Sequence, residues 1–306
     1  MVTRVFVAGG SGVLGRRLVG QLVARGHQVT ATTTGRAKLD LLRRLGAEGV
    51  VMDGLDAVSV GQAVAGARPD VIVHQMTGLS EAHAGRPNMR QADRFFATTN
   101  RLRTEGIDHL LAAAEATGVS HVVAQSHASF NGIREGGWVK TEEDPLQVVE
   151  GTRAISHLEN AVVGAGGAAL RYGAFYGPGA NDDQVRMVRR RMFPLVGGGT
   201  GHTSWVHLDD AASGTVLAVE QQARGVFNIV DDEPAPVREW LPFLAQCAGA
   251  KPPRRLPAWT ARLLAGEMVV GMMTEGRGFS NAKARRELGW ELRYPSWRQG
   301  FREELV

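Results

Sequence analysis

The sequence predicts an α/β fold, a doubly wound parallel sheet followed by a smaller lobe. Three observations predict this class. Residues 4–19, RVFVAGGSGVLGRRLV, run from an apolar strand through Gly9, Gly12 and Gly15 into an apolar helical pattern. Further apolar runs of strand length follow, separated by segments of helical period. That alternation implies parallel strands joined by right-handed crossovers. After Arg171 the texture changes: Gly and Pro become frequent, as in YGPG at 176–179 and VGGGTG at 196–201, and short elements mix.

The first strand, 4–8, carries Val5, Phe6 and Val7, and the first helix, 13–24, sets Val13, Leu14, Leu18, Val19 and Leu22 on one stripe. Strands at 28–32, 49–52, 71–75, 121–126 and 167–172 then alternate with helices near 36–45, 57–65, 92–116 and 152–164. Residues 1–174 form the sheet unit, and 175–306 form the lobe, partly interleaved with it. Within the lobe, 259–275 (WTARLLAGEMVVGMMTE) reads as an amphipathic helix with glycine interruptions and is a candidate lid. The polar segment 78–91 after the fourth strand is another. The Asp209–Asp210 pair precedes a helix, where carboxylates cap N–H groups.

Strand, tight turn and helix start together make a dinucleotide site. A helix N-terminus offers unpaired N–H groups and a partial positive charge to a pyrophosphate. Gly9 allows the tight turn, Gly12 lets the phosphates approach the backbone, and Gly15 lets the helix sit close to the strand. Ser11, Val13, Leu14 and Arg16 complete the first turn. A site for NAD carries Asp or Glu at the end of the second strand. Here Thr32, Thr33 and Thr34 stand there, Asp40 lies too far along, and Arg36 follows closely. A missing acid with cations nearby suits a 2′-phosphate, so NADPH is the expected cofactor, with NADH left open.

The formal charge is only +4, and 31 arginines against 4 lysines look like coding bias rather than a phosphate-binding design. The Arg189–Arg190–Arg191 run reads as a solvated helix face, so no nucleic-acid partner is expected. A single cysteine, Cys247, excludes an internal disulfide framework and a cysteine-based metal site, and suits a reducing cytoplasm. The nine histidines show no H-x-x-x-H spacing, so no metal is expected. The chain enters a strand with no charged-then-apolar leader, and the apolar stretch 263–273 is broken by Gly266, Glu267 and Gly271. A cytoplasmic, non-membrane monomer or homodimer is expected.

The glycine turn, Asp53 after the third strand, Gln125–Ser126 ending the fifth, RYGAFYGPG (171–179), SWVHLDDAA (204–212), GVFNIVDDEP (225–234) and SNAKARRELGW (280–290) occur in one order. That series resembles the extended short-chain dehydrogenase/reductases, the group containing sugar-nucleotide epimerases and dehydratases, and implies their Rossmann fold. It further implies that Asp53 holds the adenine amino group and that Gly54, Gln75, Met76, Thr77 and Gln125 line the cofactor. By the same resemblance, Ser126 contacts the reacting carbonyl.

One departure stands out. The family acid/base is a Tyr followed four residues later by Lys, which lowers the Tyr pKa. This chain has three tyrosines, Tyr172, Tyr176 and Tyr294, and none is followed by such a Lys. Aligning back from Arg171 and Glu159 puts Gly151 at the Tyr position and Ile155 at the Lys position. The Asn that the family carries three residues before the glycine of the fourth helix is replaced by Arg103.

Hydride transfer to a ketone makes a basic alkoxide that needs a donor or stabiliser at hand. Ser126, His127 and Tyr176 are the candidate catalytic residues, and His74 reads as structural. A further donor is the substrate itself, if its ketone stands beside a phenol. The expected function is therefore an NADPH-dependent ketoreductase acting on a polycyclic aromatic ketone in polyketide antibiotic biosynthesis. It is similar to the angucyclinone (simocyclinone-type) ketoreductases that lack the Tyr. A sugar-nucleotide epimerase or dehydratase is the first rival, and a non-catalytic NADP(H)-binding sensor the second.

Overall fold

The computed structural model describes residues 2–79, 91–128, 136–145, 147 and 150–305. Seven parallel strands form the main sheet: β1 (Arg4–Ala8), β2 (Gln28–Thr33), β3 (Glu48–Val51), β4 (Val71–His74), β5 (His121–His127), β6 (Ala168–Tyr172) and β7 (Gly225–Ile229). Their order across the sheet is β7-β6-β5-β4-β1-β2-β3. Every pairing is parallel, with Val5 opposite both Val29 and Val71 at the centre. The strand order reverses between β1 and β4, and such a switch point opens a crevice at the strands' C-terminal ends.

Strand alternation sorts the apolar side chains into two cores. Val5, Val7, Val71, Val73 and Val123 face α1 (Val13–Ala24). Phe6, Ala8, Ile72, Val122 and Ala124 face the opposite layer. That layer holds α3 (Ala57–Ala67), α5 (Ile107–Thr117) and α6 (Arg153–Gly164). Phe6, Leu18 and Ile72 are wholly buried, and each such side chain contributes about 1.5–3 kcal/mol. The remaining helices of this unit are α2 (Leu39–Arg44) and α4 (Ala92–Arg101).

The segment expected as one helix over 92–116 is three pieces. Between α4 and α5 lies a π-helical stretch, Leu102–Gly106. Such bulges are rare and recur at functional sites.

The rest of the chain is not a separate block. After α7 (Asp182–Arg189), helix α8 (Leu208–Glu220) packs on α1, and β7 completes the main sheet. A second core lies beneath α9 (Val237–Cys247) and α13 (Trp297–Leu305). Its centre is aromatic: Trp205 meets Trp240 at 5.0 Å and Phe301 at 5.2 Å. The amphipathic stretch 259–275 is two helices, α10 (Ala258–Ala265) and α11 (Glu267–Glu275), broken at Gly266 with φ +90°. The last helix of the set, α12 (Ala282–Leu288), follows. Most of the other candidate lid, 78–91, lies outside the described residues. No helix among the described residues is long and apolar enough to cross a membrane.

Candidate active site

The crevice has a phosphate side and a reacting side. On the phosphate side, Gly9 takes φ +90°, and a Cβ there would meet the Gln75 carbonyl oxygen at 2.6 Å. A Cβ on Gly15 would strike the Gly9 carbonyl, so this glycine seats the helix against the turn itself. Gly12 is different: a Cβ there meets only the Gly9 oxygen, at 3.2 Å. Its outer side is open to an incoming group. No side chain caps α1, and no acid occupies its first turn. The helix start is left for an outside anion, so the cradle fits a dinucleotide pyrophosphate.

Thr32 braces this turn. Its Oγ1 accepts from Gly9 N at 2.9 Å, and its carbonyl accepts from Ser11 N at 3.3 Å. The Thr32 hydroxyl is thus used inside the protein, and no acid stands at this position. Arg36 is exposed just beyond β2, with no carboxylate partner among the described residues. Arg16 is also exposed, its Nε turned back to Gly12 O at 3.3 Å.

Asp53 is exposed after β3, with Oδ1 accepting from Leu55 N at 2.9 Å. Gly54 lies against Met76 and Leu102, where a Cβ would collide with the thioether. Leu14 and Met76 point into the cores and Val13 is exposed. Any part Leu14 and Met76 take at the cleft is through the backbone. The Gln75 amide is likewise turned inward, donating to the Tyr172 hydroxyl at 3.0 Å. Thr77 is exposed at the strand edge and Gln125 is half-buried on β5.

The reacting side departs from the expectation for each candidate donor. Ser126 is 1% exposed and donates to Glu159 Oε1 at 2.5 Å. Glu159 is gripped twice by Arg171, Nε to Oε1 at 2.9 Å and Nη2 to Oε2 at 2.7 Å. The serine thus completes a buried ion pair on the α6 side of the sheet, where a carboxylate must be fully bonded. Its hydroxyl does not face the cleft.

Tyr176 is sealed as well. Its ring lies under Gly300 of α13, its hydroxyl has no partner among the described residues, and burial pushes its pKa up. His127, the last residue of β5, is half-buried, and burial with help from Arg103 lowers its pKa to about 3. At neutral pH its imidazole is neutral, with no imidazolium proton to give. Tyr172, bonded to Gln75 and Thr215, is raised by burial to about 12.

Asp210 caps no helix. Its carboxylate accepts from Arg293 N at 2.9 Å and Tyr294 N at 2.8 Å, while the His207 imidazole caps α8 by accepting from Asp209 N. At the family Tyr position, Gly151 faces open space; at the Lys position, Ile155 is buried.

Arg103, in the π stretch, is 7% exposed. Among the described residues its one hydrogen bond is to the neutral Asn100 Oδ1, at 3.4 Å. Burial lowers its pKa to about 10, so it stays charged at neutral pH. Its charge lowers the pKa of both His74 and His127, which places it beside the ends of β4 and β5. His74 Nε2 bonds Leu102 O at 3.0 Å and ties the π stretch to β4. The stretch also packs on α6, the helix of Ile155. Sequence reasoning marked Arg103 as a departure from pattern but not as a site residue.

The model of the NAD dependent epimerase/dehydratase family matches residues 5–230. A Streptomyces 3-diazoavenalumate denitrifying reductase is 43% identical, over 98% of this chain and 100% of its own length. A Stigmatella aurantiaca 4-hydroxy-2-methyl-3-oxo-4-farnesyl-3,4-dihydroquinoline-1-oxide ketoreductase is 27% identical, over 94% and 91%. Among solved structures, Thermus thermophilus UDP-glucose 4-epimerase with NAD has a TM-score of 0.76 at 22% identity, covering 99% of this chain and 97% of that one. A human epimerase family protein with NADPH has a TM-score of 0.76 at 19% identity, covering 99% of both. At such identities the likeness is one of fold.

Proposed function

Because this chain belongs to the NAD dependent epimerase/dehydratase family, we propose that it is a nicotinamide-dependent reductase whose substrate needs no proton from the enzyme. The observation that carries this is the state of the three candidate donors. Ser126 donates its hydrogen bond to Glu159, Tyr176 is sealed under α13, and the His127 imidazole is neutral. Chemistry that survives such a site must leave no strong base behind, or must bring its own acid.

A diazo group beside a carbonyl satisfies the first condition, and the 43% identical denitrifying reductase supports it. Bound at the glycine turn, the reduced cofactor supplies a hydride. The C–H bond forms with the hydride's electron pair, the C–N bond breaks, and its pair leaves on dinitrogen. The adjacent oxygen is left as an enolate or phenolate, weaker bases than an alkoxide, which need no acid from the enzyme and take their proton from solvent.

The second reading is the reduction of a polycyclic aromatic ketone whose neighbouring phenol donates the proton, in keeping with the ketoreductase relative. NADPH is favoured by Arg36 beyond β2, which has no carboxylate partner among the described residues. The epimerase and dehydratase readings are disfavoured because those reactions begin with removal of a hydroxyl proton.

The test uses NADPH deuterated at C4, offered with an ortho-diazoquinone carboxylic acid or with a 2-hydroxyaryl ketone. Deuterium on the ring carbon with release of N₂ is the expected result. Deuterium on a carbinol carbon selects the second reading. No transfer to either probe, with NADPH bound, overturns both and leaves the sensor.

A further inference from the structure

Arg103 is a positive charge taken out of water with no anion beside it among the described residues. Burying an unpaired ion costs several kcal/mol, and proteins normally avoid it by pairing. Arg171, the other deeply buried guanidinium on this side, shows the usual solution: a bidentate carboxylate at 2.7 and 2.9 Å. Arg103 has only an amide oxygen at 3.4 Å. A π-helical stretch holds it, and that stretch is bonded to the end of β4 by His74 and packed on α6. His74, whose Nε2 bonds Leu102 O, sets Arg103 beside the C-terminal end of β4, and the guanidinium charge reaches His127 at the end of β5.

We propose that Arg103 is a catalytic residue: its guanidinium binds the substrate oxygen that becomes negatively charged as hydride arrives. The proposal rests on the reductase reading and supplies what that reading lacks, a stabiliser in place of the Tyr and Lys. For a diazo carbonyl, a cation at the oxygen favours the resonance form with an oxyanion beside a diazonium. That form is the better hydride acceptor. After C–H formation and loss of N₂ with the C–N pair, the oxygen keeps one negative charge against one positive charge on Arg103. For a ketone, the π pair of the C=O bond moves to the same oxygen until the neighbouring phenol protonates it. Either way, the preset charge acts where charge develops, in surroundings that screen it little. The substrate class follows: a conjugated carbonyl compound that binds as, or turns into, an oxyanion.

The experiment avoids turnover. The full-length protein with NADP⁺ is titrated with 4-nitrophenol, whose phenolate has its own visible band, across a pH series. Arg103 in place lowers the bound phenol's pKa, giving about tenfold more phenolate or greater at a pH below the free value. Arg103→Met returns the bound phenol to its free pKa, and Arg103→Lys, keeping charge without the fork, retains part of the shift. NADPH affinity is unchanged in both, and Arg103→Met melts no lower than the native protein, because it relieves an unpaired charge.

An equal phenol pKa in native and Arg103→Met proteins, or no phenol binding, overturns the proposal. A fall in melting temperature in Arg103→Met also overturns it, in favour of a structural role. The deuteride measurement fails or succeeds separately. Transfer of deuterium without a phenol shift removes Arg103 and keeps the reductase, and a phenol shift without transfer overturns the reductase and the catalytic role with it, leaving Arg103 an oxyanion-binding residue only.

Discussion

The two sides of the crevice are built from different materials. The phosphate side is main chain: Gly9, Gly12 and Gly15 contribute by having no side chain, and Thr32 holds the turn they form. The reacting side is side chains, and what each can do depends on the neighbour it finds. Ser126 finds Glu159, Tyr176 finds Gly300, and Arg103 finds no anion among the described residues. A backbone site is therefore fixed by local spacing, whereas a side-chain site is decided by tertiary packing.

Substitutions on each side should separate these two modes. The largest expected effect is on the reacting side. Glu159→Ala strands Arg171 in the core and should cost about 3–5 kcal/mol in denaturant unfolding. On the phosphate side, Gly12→Val should leave the melting temperature nearly unchanged and weaken NADPH binding by about 100-fold or more, roughly 2.8 kcal/mol, as read by nicotinamide fluorescence. If Gly12→Val instead unfolds the protein, the open side assigned to this glycine is wrong.

Arg36→Ala should weaken NADPH by about tenfold or more, the loss of one charge-assisted hydrogen bond, with NADH affinity unmoved. Equal losses for both cofactors would remove Arg36 from 2′-phosphate recognition. A separate effect is on acid stability. His127 has a folded pKa of about 3, below its ordinary value of 6.5. Its contribution is complete above that value. It is lost as the pH falls from there toward 3, because the unfolded chain takes up a proton that the folded chain refuses. His127→Asn should lose less melting temperature between pH 6.5 and pH 4 than the native protein.

The sheet was legible because parallel strands buried on both faces leave apolar runs, such as Val71–Val73 and Ala168–Leu170. The glycine turn was legible for the reason already given. The π stretch was not: the helical period runs through Leu102, Ile107 and Leu110 without marking an extra residue in the turn. Nor did strand alternation reveal that Ser126 lies opposite Arg171 in register and shares its carboxylate. Tyr176 looked free to reach a pocket because α13, which covers it, comes more than a hundred residues later. Gly266 was noted as an interruption, but only its φ of +90° shows that it ends one helix and begins another.

The late arrival of β7 bears on how the chain is made. Until residues 225–229 leave the ribosome, β6 is an apolar strand with one unpaired edge. Such an edge is a template for pairing with another chain. Synthesis halted, or a protease cut, near residue 175 would release a fragment whose sheet is open on that side. Release of the N-terminal half alone should therefore yield aggregates rather than a free-standing cofactor-binding domain.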